Sequence, residues 1–311
     1  MQFDWRKGEA LLAVLESGSF ERAAASLHLT PSAISQRIRA LEEEIGQPLV
    51  LRTRPCLATP AGRKILLYLQ RSRLLEQEWR AEMARENEGW LSVPLALNHD
   101  SMATWLLPAM RDCLQRERIL LDITLDDQSR TPALMEAGRA VAGIASQPET
   151  LRGCRAEWLG AMRYRLAASP AFIARWFDGG LTRQTAQHAP LAVFDRKDLL
   201  QWQVLRAAFD LAPTQLSCHY LPSSEAFLRA IEQGLCYGLL PELQAGQAFA
   251  QGRVVDLLPS QPLDVPLWWH CWDLQTPRLE RLTQAVCAGA RASLLQTDPD
   301  RVALAPARPL P

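Results

Sequence analysis

The chain has 311 residues, of which 48% are hydrophobic and 22% are charged, and its net charge is zero. That length exceeds what one hydrophobic core usually supports, so we expect two or three compact units. The sequence contains no apolar run of about 18 residues, the minimum for a membrane span, and its N-terminus lacks the apolar core of a signal peptide. These features argue against membrane association and predict a cytoplasmic protein.

Seven cysteines are spread widely through the chain, without a CxxC pair or a His-rich neighbour. This pattern predicts reduced thiols and argues against a disulfide framework or a zinc site. We therefore predict neither a metal nor a cofactor. A redox-active thiol stays open as an alternative, because its reactivity depends on charge and exposure that a sequence does not show.

Basic residues are concentrated near the N-terminus. Between Arg22 and Lys64 the chain has seven basic and three acidic residues. Because the whole chain is neutral, any nucleic-acid binding must rest on a local patch of this kind.

The N-terminal third is predicted to be mainly helical. One helix is expected over Trp5–Ser17, and a second follows from Phe20. Thr30 is a good N-cap and Pro31 a good first helical residue, so a third helix begins there and ends near Gly46. Its inward face carries Ile34, Ile38, Leu41 and Ile45.

A hairpin and a long helix come next. Two short apolar runs, PLVLR and CLA, flank Thr53-Arg54-Pro55 and predict the hairpin. Thr59 and Pro60 repeat the N-cap signature and open a helix from about 61 to 87. So long a helix cannot cover its apolar stripe within its own domain, so a partner helix is expected. The candidate dimerisation residues are Leu69, Leu75 and Trp79.

From Leu91 the sequence changes character. Short apolar runs alternate with helical patterns, which predicts an α/β fold with a mostly parallel sheet. The pattern restarts at Arg163, so we expect two lobes, with a cleft between them where small ligands bind.

The segment from Ser19 to Gly62 carries the pattern A-A-x-x-L-x-x-T-P-S-A-I-S-Q-R-I-R, followed by R-T-R-P and A-T-P-A-G. It resembles the DNA-binding domain of LysR-type transcriptional regulators, which implies a winged helix-turn-helix. In such a fold the second helix presents its N-terminal side chains to base edges. The candidate DNA-binding residues are Pro31, Ser32, Ser35, Gln36, Arg39, Arg52 and Arg54.

These side chains suit different parts of DNA. Gln36 can pair with adenine through two hydrogen bonds, Ser35 can donate or accept, and the Pro31 ring can contact a thymine methyl. The three arginines suit phosphates or the minor groove. The alternative is that these residues only cover a solvated helix face.

The resemblance continues into the second half. The segments NHDSMATWLLPAM, DDQSRT, VFDRKD and SSEAFLRAIEQGLCYGLLPE resemble the ArgP branch of LysR-type regulators, also called LysG or IciA. The likeness extends to about residue 295. It implies control of a basic amino acid exporter gene, lysine or arginine as the effector, double-stranded DNA and RNA polymerase as partners, and a homodimer or homotetramer.

The candidate effector-binding residues lie at helix starts and strand ends. A helix N-terminus suits a carboxylate, and such sheets place ligands at the carboxyl ends of strands. The helix-start candidates are Asp100, Ser101, Ser223 and Ser224, and the acidic strand-end candidates for a cationic ligand are Asp126, Asp127 and Asp195. Alternatively, Asp100 and Ser101 only cap a helix, and Asp126 and Asp127 are turn residues.

The predicted organisation is therefore an N-terminal winged helix-turn-helix, a linker helix and a two-lobed effector domain of periplasmic-binding-protein type. The first spans 1–60, the linker 61–89 and the effector domain 90–296. Lobe I comprises 90–162 and 266–296, and lobe II comprises 163–265. The Pro- and Ala-rich segment 297–311 is predicted to be disordered.

Other functional classes fit less well. The sequence lacks GxSxG, GxGxxG, GxxxxGK[ST] and HExxH motifs, so we do not predict an enzyme. The expected DNA-binding domain argues against a periplasmic solute-binding protein. A nucleoid or replication-origin binder that senses no small molecule remains the alternative.

Overall fold

The computed structural model describes residues 3–83, 89–151, 153–273, 275–299 and 302. The N-terminal domain consists of α1 (Trp5–Ser17), α2 (Phe20–Ser26), α3 (Pro31–Ile45) and a hairpin of β1 (Val50–Leu51) and β2 (Leu57–Ala58). The predicted helices and hairpin are confirmed. In the described residues the linker helix, α4, spans Pro60–Met83, and its predicted end near residue 87 lies outside them.

Local capping explains these helix boundaries. The Thr30 hydroxyl accepts the backbone N–H of Ala33, and α3 ends at Gly46 with a φ of 75°, in the left-handed region that favours glycine. Thr59 caps α4 through the N–H of Gly62 at 3.0 Å. A Cβ at position 62 would collide with the Leu49 carbonyl, so the hairpin and α4 approach closely only with glycine there.

The rest of the chain is an α/β domain of two lobes. Lobe I denotes residues 90–162 and 266–296, and lobe II residues 163–265. The strands are β3 (Leu91–Leu97), β4 (Ile119–Leu125), β5 (Ala142–Ala145), β6 (Cys154–Ala168), β7 (Leu191–Val193), β8 (Cys218–Tyr220), β9 (Gly238–Pro241), β10 (Val255–Asp256) and β11 (Leu263–Trp272). The helices are α5 (His99–Ala103), α6 (Leu106–Glu117), α7 (Thr131–Glu136), α8 (Pro170–Trp176), α9 (Arg183–His188), α10 (Leu200–Phe209), α11 (Ser224–Glu232), α12 (Glu242–Ala250) and α13 (Pro277–Ser293).

The main sheet has the order β10-β6-β11-β5-β3-β4, and β9 also pairs with β6. β3 is parallel to β4 and β5, whereas β6 and β11 run antiparallel to each other along most of their lengths. The expectation of a mostly parallel sheet is therefore wrong, because two long antiparallel strands run through both lobes. These strands are the backbone connection on which the interlobe cleft is built.

The linker helix is shared between the two domains. Leu69 packs into the N-terminal core and Leu74 into the core of the α/β domain. Arg71 Nη2 donates to the carbonyl of Gly153 at 2.9 Å, and its guanidinium lies 5.1 Å from the ring centroid of Trp272. Both contacts of Arg71 are made to lobe I.

The C-terminal segment is only partly described. Of the tail predicted to be disordered, residues 300, 301 and 303–311 lie outside the described residues. Val302 is buried, and its N–H donates to the carbonyl of Pro299 at 3.1 Å. The disorder expected for residues 297–311 stays a prediction. Within the described ranges, no helix combines the length and apolar character that crossing a membrane requires.

Candidate functional site

Helix α3 has one buried and one exposed face. Ile34 and Ile38 are fully buried in the N-terminal core. The turn before α3 passes through His28 with a φ of 54°, which aligns α2 and α3 as a helix-turn-helix. The outward face, on which only Ser35 is half-buried, comprises Pro31, Ser32, Ser35, Gln36 and Arg39.

The hairpin forms a wing beside this helix. The Arg52 guanidinium lies 5.0 Å from the ring centroid of Phe20 on α2, and its Nη2 lies 3.4 Å from Ser35 Oγ. Glu42 Oε1 accepts the N–H of Leu49 at 2.7 Å and so ties the end of α3 to the start of the wing. Arg52 and Arg54 are exposed. The structure thus brings the seven predicted DNA-binding residues onto α3 and the wing.

The outward stripe of α4 differs from the prediction. Leu69 is buried within its own chain, whereas Leu75 and Trp79 are exposed. At 3.6 residues per turn, Tyr68, Leu75 and Trp79 fall within about 40° of one another, and Leu69 lies about 100° from Tyr68. Tyr68 is exposed and stacks on Trp5, with ring centroids 6.2 Å apart. Leu69 is therefore a core residue, and Tyr68 takes its place on the exposed stripe.

A cleft of about 280 Å³ lies between the two lobes, close to the lower end of the size range of small-molecule sites. Lobe I contributes α5 and the segment after β4, and lobe II the segment after β7 and the start of α11. The described charged residues of the lining include two potential cations, His99 and Lys197. They also include five aspartates: Asp100, Asp126, Asp127, Asp195 and Asp198.

Asp100, on lobe I, accepts two side-chain hydrogen bonds from lobe II. Its Oδ2 accepts the Tyr164 hydroxyl at 2.6 Å and its Oδ1 accepts the Ser224 hydroxyl at 2.8 Å. Burial raises the pKa of Asp100, although the two hydroxyl donors act in the opposite direction. Burial, followed by the charge of Asp100, raises the pKa of Tyr164 well above its usual value. The Tyr164 hydroxyl therefore keeps its proton and donates a hydrogen bond to the carboxylate.

Two aspartates on lobe II shape the loop after β7. Asp195 Oδ1 accepts the N–H groups of Lys197 at 2.7 Å and Asp198 at 3.0 Å. Asp198 accepts the N–H of Leu200 at 2.9 Å and that of Phe194 at 3.1 Å. Burial raises the pKa of Asp198, and these backbone donors oppose the rise. The two carboxylates are thus fixed by the backbone on the same wall of the cleft.

On lobe I, Asp126 and Asp127 follow β4 directly, as predicted from the sequence. Asp127 Oδ1 accepts the N–H of Ser129 at 2.8 Å, and Asp126 pairs with Arg130 at 3.2 Å. Both residues have the turn geometry of the alternative interpretation, and both also line the cleft. Asp126 is partly neutralised by its arginine, which leaves Asp127 as the less compensated charge on this wall.

Two predicted serines lie elsewhere. Helix α5 begins at His99 after Asn98, so Ser101 is not at its start; it is fully buried and does not belong to the cleft lining. Ser223 caps α11 by accepting the N–H of Ala226 at 3.4 Å and also lies outside the lining. The sequence interpretation started α5 at Asp100, one residue late, and placed the start of α11 at Ser223-Ser224 as observed. It could not show that the hydroxyls of Ser101 and Ser223 lie outside the cleft lining, because that depends on the packing of the lobes.

Several lining residues were not predicted. Asp198 lies three residues after Asp195 in the segment VFDRKD. Its position in that segment, which resembles the ArgP branch, could have marked it as a candidate. Asn98 is 4% exposed, and its Oδ1 has no hydrogen-bond partner among the described residues. Across the cleft, the His99 and Phe194 rings have centroids 4.5 Å apart. Tyr164 lies within a predicted strand, and no local pattern marks it as a contact of Asp100.

Both halves of the chain match known domains. Residues 5–63 match the bacterial regulatory helix-turn-helix protein of the lysR family, and residues 88–289 match the LysR substrate binding domain. The transcriptional regulator ArgP of Aeromonas salmonicida is 41% identical over 292 residues, which cover 94% of this chain and 98% of that protein.

Solved structures agree. The crystal structure of ArgP from Mycobacterium tuberculosis aligns with a TM-score of 0.83 and 40% identity over 95% of this chain and 100% of that chain. Full-length LysG from Corynebacterium glutamicum, described with bound effector Arg, aligns with a TM-score of 0.78 and 32% identity over 94% and 100% of the two chains. The chain belongs to the LysR family of transcriptional regulators and is of the ArgP/LysG type.

Proposed function

We propose that the protein binds lysine or arginine in the interlobe cleft and, in response, regulates transcription of a basic amino acid exporter gene. The observation that carries this proposal is the set of five aspartates lining the cleft. Clustered carboxylates repel one another, and a bound cationic ligand relieves this repulsion. The attraction between the cation and the carboxylates in turn offsets the cost of desolvating the ligand.

The geometry favours a ligand with two cationic groups. Asp127 on lobe I and Asp195 on lobe II each use one carboxylate oxygen within their own turn. Within the described residues, the second carboxylate oxygen of each aspartate accepts no hydrogen bond. We assign these two aspartates to the side-chain cation and the Asn98 Oδ1 to the α-ammonium group, because that buried acceptor lacks a partner.

A relative supports the same ligand class. The LysG structure, at 32% identity, is described with arginine as its bound effector. We extend that ligand class to this chain because its own cleft is acidic on both walls.

Isothermal calorimetry tests the assignment. Wild-type protein should bind arginine and lysine, and norleucine, which lacks the side-chain cation, should bind at least about 10-fold more weakly, a loss of about 1.4 kcal/mol. Asp195→Asn should reduce the affinity for arginine and leave that for norleucine unchanged. Asp210→Asn is the matched control, because Asp210 is an exposed aspartate of lobe II outside the lining. Equal affinities of wild type for norleucine and lysine would refute the basic-amino-acid assignment.

The remaining parts of the proposal concern assembly and partners. We assign the exposed stripe of α4 to a homodimer, or to the dimers within a tetramer, which presents two winged helices to a two-fold symmetric DNA site. RNA polymerase is then the partner through which the bound regulator acts on the promoter.

A further inference from the structure

We propose that the Asp100 carboxylate, with the hydroxyls of Ser224 and Tyr164, forms an interlobe latch that holds the cleft closed and that the effector strengthens. The coupling to effector rests on the function proposed above. The latch itself rests on the contacts of these three side chains, whether or not the effector is a basic amino acid.

The three residues come from different parts of the fold. Asp100 lies on α5 in lobe I, and Ser224 is the first residue of α11 in lobe II. Tyr164 lies on β6, the strand that runs from one lobe into the other, and pairs there with Pro241 of β9. The bond between Asp100 and Ser224 therefore crosses the cleft, and opening the lobes must break it.

The latch residues are placed with little freedom. Ser224 and Tyr164 are buried, and the Ser224 carbonyl also accepts the side-chain amide of Gln244 at 2.9 Å. The two hydroxyls donate to different oxygens of the same carboxylate. A carboxylate held by two hydroxyl donors has a defined position, so separating the lobes must lengthen or break these bonds.

The neighbouring charges make this contact responsive to a cation. Asp127 of lobe I and Asp198 of lobe II are both close enough to Asp100 to interact with it electrostatically. In a cleft without a cation, the repulsion between Asp100 and Asp198, which lie on different lobes, opposes the closed arrangement in which Asp100 meets Ser224. A bound cation offsets the repulsion and so favours closure. By linkage, a contact made only in the closed state then raises effector affinity.

Hydrogen–deuterium exchange tests the latch without any ligand. Ser224→Ala should increase exchange in α5, residues 99–103, because that helix lies on the other lobe and loses its cross-cleft contact. Ser223→Ala is the matched control: it removes the helix cap of α11 and should change exchange within α11 but not in α5. Asp100→Asn should also increase exchange in α11. Unchanged exchange of α5 in Ser224→Ala would overturn the proposal.

Calorimetry with arginine tests the coupling. Ser224→Ala should bind arginine at least about 5-fold more weakly than wild type, the lower end of typical coupling factors, whereas Ser223→Ala should bind it like wild type. If Ser224→Ala retains full affinity, the latch does not respond to the effector. If wild type itself binds neither arginine nor lysine, the proposed function fails, and the exchange of α5 still decides whether the latch exists.

Discussion

The predicted DNA-binding residues differ in their surroundings, and this difference indicates different roles. Gln36 is exposed on α3 and free to reach a base edge, whereas Arg52 contacts Phe20 and Ser35 within its own domain. Arg52 therefore positions the wing as well as adding charge. Arg54, at the tip of the wing, is exposed and offers charge alone.

We expect Gln36→Ala to weaken binding to the cognate operator by about 1–3 kcal/mol, since a bidentate pair with adenine is lost. Binding to random DNA should be unchanged. Arg54→Ala is the comparison. Loss of a phosphate contact should weaken binding to all DNA sequences similarly and lower the salt slope by about one. Fluorescence titrations at several salt concentrations measure both quantities. If Gln36→Ala weakens binding to cognate and random DNA equally, Gln36 does not recognise a base.

The cleft aspartates predict a pH dependence of effector binding. Because burial raises the pKa of Asp100 and of Asp198, both take up a proton at higher pH than exposed aspartates do. Protonation removes the charge that attracts a cation, so arginine affinity should fall as the pH drops, starting above the ordinary aspartate pKa of about 3.9. Calorimetry at several pH values and in buffers of different ionisation enthalpy should show proton release on binding. An affinity that stays constant on acidification would contradict this.

At the scale of elements, local signals in the sequence predicted boundaries well. The caps at Thr30 and Thr59 and the glycine at 46 fix helices through contacts within a few residues. The length of β6 was not predicted, because its 15 residues pair with different strands along their length, and no single periodicity results.

In the cleft, too, residues marked by local sequence were predicted, whereas contacts between distant parts of the chain were not. Asp126, Asp127 and Asp195 were predicted because each directly follows an apolar strand. The bond between Asp100 and Ser224 joins positions 124 residues apart, and only the folded arrangement of the lobes brings them together. Leu69 was misassigned for a related reason: a stripe on one long helix was treated as a single face, although α1 covers part of it.

Helix α4 connects the two domains through neighbouring residues with opposite roles. Leu74 is 5% exposed within the core of the α/β domain, and Leu75 is 49% exposed. Glu78 Oε1 accepts the N–H of Arg278 at the start of α13 at 3.0 Å, where the helix dipole favours a negative charge. The DNA-reading head and lobe I are therefore joined by packed side chains, so we expect the proposed closure of the cleft to move lobe II relative to both.

We expect Leu74→Ala to reduce the free energy of unfolding by about 2–5 kcal/mol, as large-to-small changes in cores do. Leu75→Ala, the adjacent and exposed leucine, should change the unfolding free energy of the monomer by less than about 0.5 kcal/mol. Denaturant titrations at low protein concentration separate the two. Comparable losses for both variants would mean that Leu74 is not part of the core of the α/β domain.

For the whole molecule, the exposed stripe of Tyr68, Leu75 and Trp79 predicts the assembly. Trp79→Glu places a charge on this stripe and should dissociate the dimer, because burying an unpaired carboxylate is costly. Sedimentation at micromolar concentration should show a monomer. Specific DNA binding should be lost in the same variant, since one reading head contacts only a half-site.

Trp90→Glu is the matched control for this prediction. Trp90 is exposed like Trp79 but lies beyond α4, just before β3, so the same change of side chain should leave both the dimer and DNA binding intact. A Trp79→Glu variant that still sediments as a dimer would place the interface elsewhere. A monomeric variant that keeps full operator affinity would instead separate assembly from DNA recognition. If dissociation and loss of operator binding occur together in Trp79→Glu alone, the two reading heads act as a pair held by α4.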